Sequence, residues 1–282
     1  MDIEIICPLY NAEENVLDLN QNILKQKKVK IKKITYVLTE SKDNTEEILK
    51  KNKIKYDKIK KEDFSHSLTR EKYALKSKAD IVVFITQDVI IEKTNWLYEL
   101  TLPIIKGEVE ATFSRQLCDN NSIEKYTREK NYPNKSRIVS KKDIKKLGLN
   151  TFFFSDASSA IKKDVFVELN GYDNKHLPIS EDMYIAHKLI QNGYKIKYCH
   201  KSEVIHSHDF TLKEIYDRYK LTGQFFKQNS YLDKYGTNKS GGGLAKYVLK
   251  RAIQDGNFKV LIKFVPNMAA RFIGMKVGKY EK

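Results

Sequence analysis

Residues 81–88 read Ile-Val-Val-Phe-Ile-Thr-Gln-Asp, and no other stretch limits the fold so tightly. Five consecutive apolar residues, four β-branched and one aromatic, suit a strand buried on both faces of a parallel sheet. The run stops at Thr86-Gln87-Asp88, so a carboxylate stands at the strand's C-terminal end. In open α/β sheets that edge is where ligands bind. Thr86 and Asp88 lie two apart and project to the same side of an extended chain, which suits a hard cation carrying phosphates. The plainer reading is that Asp88 ends the strand, and the octet alone leaves both open.

The flanking pattern supplies the context. Residues 2–7 read as a first strand, followed by Pro8-Leu9-Tyr10-Asn11, with Asn11 and Glu14 spaced like a capping box for a helix carrying Val16, Leu17, Ile23 and Leu24. A second strand over 34–38 leads through a polar turn, 39–45, to a helix over 46–52. A weaker strand over 54–59 and a helix over 66–78 precede the octet. This alternation implies a mostly parallel, Rossmann-like sheet flanked by helices, with right-handed crossovers. Beyond Asp88 we read a helix over 96–105, a strand over 110–117, and a lid or acceptor-side insertion over 119–150. Small residues at 155–161 allow close backbone approach to a ligand, and Gly171-Tyr172-Asp173 forms a turn. Ser180 caps a helix that opens with Glu181-Asp182 and ends at Asn192-Gly193. Short strands over 194–198 and 203–206 follow; the remainder is helical apart from a Gly241-Gly242-Gly243 hinge. The expected organisation is an α/β domain over 1–223, divided at 88 into a nucleotide-binding and an acceptor half, with a C-terminal helical extension over 224–282.

Composition narrows the partners. A net charge of +16, from 52 Lys and Arg against 36 Asp and Glu, favours nucleic acid, an anionic membrane or phosphorylated substrates, without choosing among them. From residue 241 onward nine Lys or Arg stand against Asp255 and Glu281, interleaved with Leu249, Ile253, Phe264 and Phe272. That pattern reads as amphipathic helices forming either a bundle or an in-plane foot on an anionic membrane. No window approaches eighteen apolar residues and no signal peptide is legible, so a cytoplasmic protein, peripheral on the inner face of the membrane at most, is expected. Cys7, Cys118 and Cys199 form no metal or redox pair.

Three chemically suited groups remain: Asp88 at a strand end, Glu181-Asp182 at a helix start, and His206-Ser207-His208 after a late strand. In an alternating fold these ends can share one sheet edge. The surrounding motifs run in a consistent order: Pro8-Leu9-Tyr10-Asn11, Ser41-Lys42-Asp43-Asn44-Thr45, Phe64 to Arg70, Thr86-Gln87-Asp88, Arg115-Gln116, Asn131-Tyr132-Pro133, Glu181-Asp182-Met183 and the His pair. Over residues 2–223 this order resembles the inverting nucleotide-sugar glycosyltransferases of the GT-A fold, the large family 2 that includes bacterial rhamnosyltransferases.

The resemblance implies transfer of a sugar, first rhamnose from dTDP-rhamnose and next a sugar from a UDP donor, onto a glycan or lipid-linked acceptor of a bacterial surface polysaccharide. It implies Mn²⁺ or Mg²⁺ on Asp88 with His206 as second ligand and His208 as its substitute; imidazole favours Mn²⁺. Asp182 matches the family's general base, with Glu181 binding or orienting the acceptor. Pro8, Tyr10, Asn11, Glu40, Asp43, Arg70, Gln87 and Asp88 would face the nucleotide-sugar. Arg115, Tyr132, Ser155 and Asp156 would face the acceptor, and Arg218 would close over the diphosphate. Two departures stand out. Leu38, with Thr39 and Glu40 beside it, replaces the usual acid at the end of the second strand, and Ser67 and Glu71 replace a common Gly and Asn. The rival reading, a basic nucleic-acid-binding α/β protein, finds no motif to support it, so nucleic acid is not expected as a partner. A homo-oligomer is compatible with the tail.

Overall fold

A computed structural model describes residues 1–281, the side chains of 237–241 excepted. Its strands are β1 (Ile3–Leu9), β2 (Ile31–Thr39), β3 (Tyr56–Ile59), β4 (Ile81–Ile85), β5 (Ala111–Leu117), β6 (Arg137–Val139), β7 (Ser158–Lys162) and β8 (Ile196–Ile205). They form one sheet in the order β3-β2-β1-β4-β7-β5-β8-β6. The first four pair in parallel, β7 runs antiparallel between β4 and β5, β8 joins β5 in parallel, and β6 closes the edge antiparallel. The helices are α1 (Val16–Leu24), α2 (Thr45–Lys51), α3 (His66–Lys76), α4 (Trp96–Ile105), α5 (Ile123–Asn131), α6 (Ile144–Leu147), α7 (Lys163–Glu168), α8 (Glu181–Gln191), α9 (Leu212–Gln228), α10 (Thr237–Gln254) and α11 (Phe258–Tyr280).

β4 is central, and its unbroken apolar run is what two covered faces demand. Ile81, Val83 and Ile85 enter one layer with Trp96 and Leu100 of α4; Val82 and Phe84 enter the other, where Phe84 meets Phe166 edge to face at 5.8 Å. The strand therefore ends rigidly, and Asp88 follows it on the C-terminal edge.

Several local expectations are corrected. Asn11 does not cap α1: it sits at φ 47°, its N–H donates to Ser41 Oγ at 3.0 Å and its Oδ1 accepts from Lys42 N at 3.0 Å, so it ties two loops together. Ser180 lies at φ 61° and its side chain makes no cap bond. Residues 119–150 carry α5, β6 and α6. The two short strands expected over 194–206 are one, β8. Its register against β5 jumps from Cys199 to Glu203, and the bulged residues masked its continuity. Ser202 secures the bulge by donating to Trp96 O at 3.0 Å. Gly241 to Gly243 lie inside α10 rather than forming a hinge, and α9 runs straight through the 223/224 division.

The C-terminal helices pack on the rest. α10 places Val248 and Ala252 against Ile123 and Tyr126 of α5, while α11 lies along α9 at close range. A Cβ on Gly278 would overlap the Lys220 carbonyl, whereas one on Gly242 would meet nothing within 4 Å. Gly278→Ala should therefore cost about 1–3 kcal/mol through overpacking, although Ala is the better helix former. Gly242→Ala should gain up to about 1 kcal/mol. Urea denaturation of the two variants checks both signs.

Candidate active site

The C-terminal edge of β4 and the end of β8 bring three ligand-type groups together. Asp88 Oδ2 lies 3.3 Å from His206 Nε2 and 3.8 Å from His208 Nε2, and one ligand atom from each residue falls within 4.8 Å of the others. Burial alone would push the Asp88 carboxyl up; the hydrogen bond and charge of His206 outweigh it and hold the group well below the usual range. Burial, with His206 beside it, lowers His208 to about 4, so its ring is neutral and offers a lone pair. One carboxylate oxygen and two imidazole nitrogens are a donor set that fits a divalent transition ion with positions left open.

The imidazoles are held from behind. Gln116 Oε1 lies 2.9 Å from His206 Nδ1, Gln116 Nε2 donates to Ser155 Oγ at 2.8 Å, and Arg128 donates to Gln116 Oε1. The amide orientation that satisfies Ser155 and Arg128 turns Gln116 Oε1 toward His206 Nδ1, which holds the ring with Nε2 facing Asp88. Asn120 Nδ2 donates to His208 O at 3.1 Å, and Phe210 stacks on the His208 ring at 4.6 Å.

The second cluster lies at the start of α8. Glu181 is buried and accepts from Arg70 Nη1 at 2.8 Å. Asp182 is partly exposed, and its Oδ1 accepts its neighbour's Met183 N–H at 2.7 Å. Desolvation, then the charges of Glu181 and Asp156, raise the Asp182 carboxyl well above its usual value. The helix N-terminus, which favours the anion, is overruled. Asp156 is buried, accepts from Tyr172 OH at 2.7 Å and Ser159 Oγ at 2.6 Å, and is itself pushed up by burial. Ser155 and Asp156 thus join the halves: one bonds Gln116 behind His206, the other bears on Asp182.

The remaining expected residues are distributed around these two clusters. Tyr10 and Gln87 grip each other, Tyr10 N donating to Gln87 Oε1 at 2.7 Å and Gln87 Nε2 to Tyr10 O at 2.8 Å, which fastens the loop after β1, the strand that contains Pro8, to the loop after β4. Asp43 is spent on Thr45 Oγ1 at 2.6 Å and Glu13 N at 3.0 Å, while Glu40 stands exposed just past β2. Arg70 is 2% exposed and directed at Glu181 rather than open space. Arg115 bonds Glu203 at 3.1 Å and the Tyr132 carbonyl at 3.3 Å, and Tyr132 is buried among Phe113, Phe153 and Tyr198. Arg218 lies over the Phe210 ring at 4.7 Å, one stacking step from His208. The departures at 67 and 71 have work of their own. Glu71 accepts from Tyr172 N at 2.8 Å, and Ser67 Oγ donates to Lys175 O at 2.6 Å, so both fix the turn leading to α8.

Sequence reasoning passed over Gln116, Arg128 and Phe210. Gln116 was visible inside Arg115-Gln116, where the charged neighbour drew the weight; Arg128 carries no signal in a cation-rich helix.

The glycosyl transferase family 2 model matches residues 4–169. The chain is 34% identical, over 99% of its own length and 90% of the relative's, to the O-antigen chain rhamnosyltransferase RfbN of Salmonella typhimurium. It is 35% identical, over 79% of its length and 71% of the relative's, to the O-antigen chain rhamnosyltransferase WbaN of Salmonella anatum. Among solved structures, the mannosyltransferase PcManGT of Pyrobaculum calidifontis, in complex with GDP-Man and Mn²⁺, is similar in fold: TM-score 0.66, 14% identity, 99% of this chain and 87% of that one.

Proposed function

Because the chain belongs to glycosyl transferase family 2, and is a glycosyltransferase acting in polysaccharide synthesis, we propose that it moves rhamnose from dTDP-rhamnose, with inversion, onto a glycan or lipid-linked glycan, working at the cytoplasmic face of the membrane. The observation that carries the chemistry is the meeting of Asp88, His206 and His208 within 4.8 Å at the edge of β4. The sugar rests on the likeness to the two rhamnosyltransferases.

Asp88 Oδ2 and the imidazoles of His206 and His208 would hold Mn²⁺ or Mg²⁺. When bound, the ion neutralises the charge that develops on the departing diphosphate. Tyr10, Asn11 and Gln87 would shape the loop against which the nucleotide lies, with exposed Glu40 available to the base. Arg218, placed over Phe210, is the cation available to the diphosphate. Asp182 takes the acceptor hydroxyl's proton as that oxygen attacks C1, and Glu181, held by Arg70, positions the acceptor. A raised carboxyl pKa makes Asp182 a stronger base than an ordinary aspartate.

A thermal-shift screen of nucleotide-sugars tests the reading. dTDP-rhamnose should raise Tm with Mn²⁺ present and much less in EDTA; stabilisation by a UDP-sugar instead would move the assignment to that donor. Gln116 gives a second expected outcome. Gln116→Leu removes the acceptor that orients His206, so Mn²⁺ affinity, read by electron paramagnetic resonance, should fall about 10–100-fold.

A further inference from the structure

α11 buries Val260, Asn267, Gly274 and Gly278, with Leu261, Phe264 and Met268 partly buried against the cluster shared with α5 and α10, and Gly274 and Gly278 let it lie close on α9. Its outward stripe, Phe258, Ile262, Val265 and Phe272, is 75%, 78%, 69% and 64% exposed. A run of apolar side chains on one exposed face marks an interaction surface, and no helix among the described residues is long and apolar enough to cross a membrane.

The stripe adjoins a cavity of about 320 Å³ between α11 and the start of α9, walled by Phe210, Leu212, Ile215, Val260, Ile262 and Pro266. Lys259 and Lys263, one turn apart, stand on its α11 side and are exposed. Of the two carboxylates on the opposite rim, Glu124 is paired with Arg271 at 3.2 Å, and Asp209 is exposed. His208 also lines the cavity, so its far wall belongs to the Asp88 cluster.

We propose that the outward stripe of α11 and this cavity form an in-plane docking site for an anionic phospholipid bilayer, with a headgroup phosphate received between Lys259 and Lys263. The proposal deepens the reading of a membrane-working transferase and rests on it. Charge complementarity favours the lipid occupant over a second copy of this +16 chain. Exposed aromatic and aliphatic residues at 258, 262, 265 and 272 supply the interfacial burial, and lysines beside them supply attraction to anionic lipid. Docked in this way, the shared wall at His208 places the Asp88 cluster at the bilayer surface, where a lipid-linked acceptor would present its sugar.

Cutting off the tail would not test this, because α11 packs on α9; exposed point substitutions do. Full-length protein should cosediment with phosphatidylglycerol vesicles and much less with phosphatidylcholine vesicles, leaving a salt-resistant remainder. Lys259→Glu/Lys263→Glu and, separately, Ile262→Asp should each weaken binding at least about tenfold, while Ile253→Asp on α10 leaves it unchanged. Wild-type binding by the first two variants, no binding by wild type, or equal loss from Ile253→Asp would overturn the assignment. Dissociation of an oligomer by Ile262→Asp, seen in light scattering with vesicle binding intact, would overturn it in favour of a subunit interface. Calorimetric donor binding should be unchanged in every variant; its absence from wild type would count against the donor reading, not the docking site.

Discussion

Asp88→Ala is expected to fold and to lose nearly all metal-dependent transfer, by roughly three orders of magnitude. The carboxylate is the one acidic group clustered with His206 and His208 among the described residues; without it only the two imidazoles remain. Lewis-acid stabilisation of a leaving diphosphate is worth several kcal/mol, and each 1.36 kcal/mol is about tenfold in rate. Asp88 follows β4 rather than packing inside it, so removing the side chain leaves both apolar layers intact. Turnover assayed in saturating Mn²⁺ and in EDTA checks this: the variant should be indifferent to the ion. A variant as active as wild type in Mn²⁺ would remove Asp88 from the centre.

Asp182→Asn should lower kcat by about 10²–10⁴-fold while calorimetric donor binding stays near wild type, since the base serves the acceptor. Two further signs follow from desolvation and the charges of Glu181 and Asp156, which raise this carboxyl. The base must be deprotonated, so the acid limb of the wild-type pH–rate profile should fall at a higher pH than an ordinary aspartate gives. A native-state pKa above the unfolded value means the native state holds the extra proton. Stability from this group is full below the unfolded pKa and declines as pH rises through the folded pKa. The amide introduced by Asp182→Asn carries no such penalty, so the inactive variant should melt higher than wild type at neutral pH and lose that advantage in acid. An active Asp182→Asn beside an inactive Glu181→Gln would reverse the roles assigned to the pair.

The sequence carried the central strand and its terminal carboxylate because burial on both faces forces a run such as 81–85, and a polar stop is conspicuous after it. The acid pair and the His pair were legible for a similar reason: one opens a helix and the other follows the end of a strand. Partners supplied across the fold were not. Gln116 and His206 are 90 residues apart in sequence, and Glu181 and Arg70 are 111 apart; neither amide nor guanidinium announces its partner. Arg70 is the instructive case: its place after the Phe64-Ser65-His66 motif reads as facing the nucleotide-sugar, and nothing local shows that it also pairs with Glu181. The β8 bulge hid a long strand as two short ones, because its extra residues break the period-2 alternation. Glycine at 241–243 reads as a hinge by propensity, while helix packing around α10 overrides it.

The claim that Asp88, His206 and His208 form a metal centre that grips the donor diphosphate is tested most directly by calorimetric titration of dTDP-rhamnose. It would be run in Mn²⁺ and in EDTA, with wild type and with His206→Ala/His208→Ala. The account predicts that Mn²⁺ tightens wild-type binding at least about tenfold, as charge neutralisation of a diphosphate requires, and that the double variant binds in Mn²⁺ no better than wild type does in EDTA. Equal affinity with and without Mn²⁺, or full Mn²⁺ enhancement in the double variant, would contradict it.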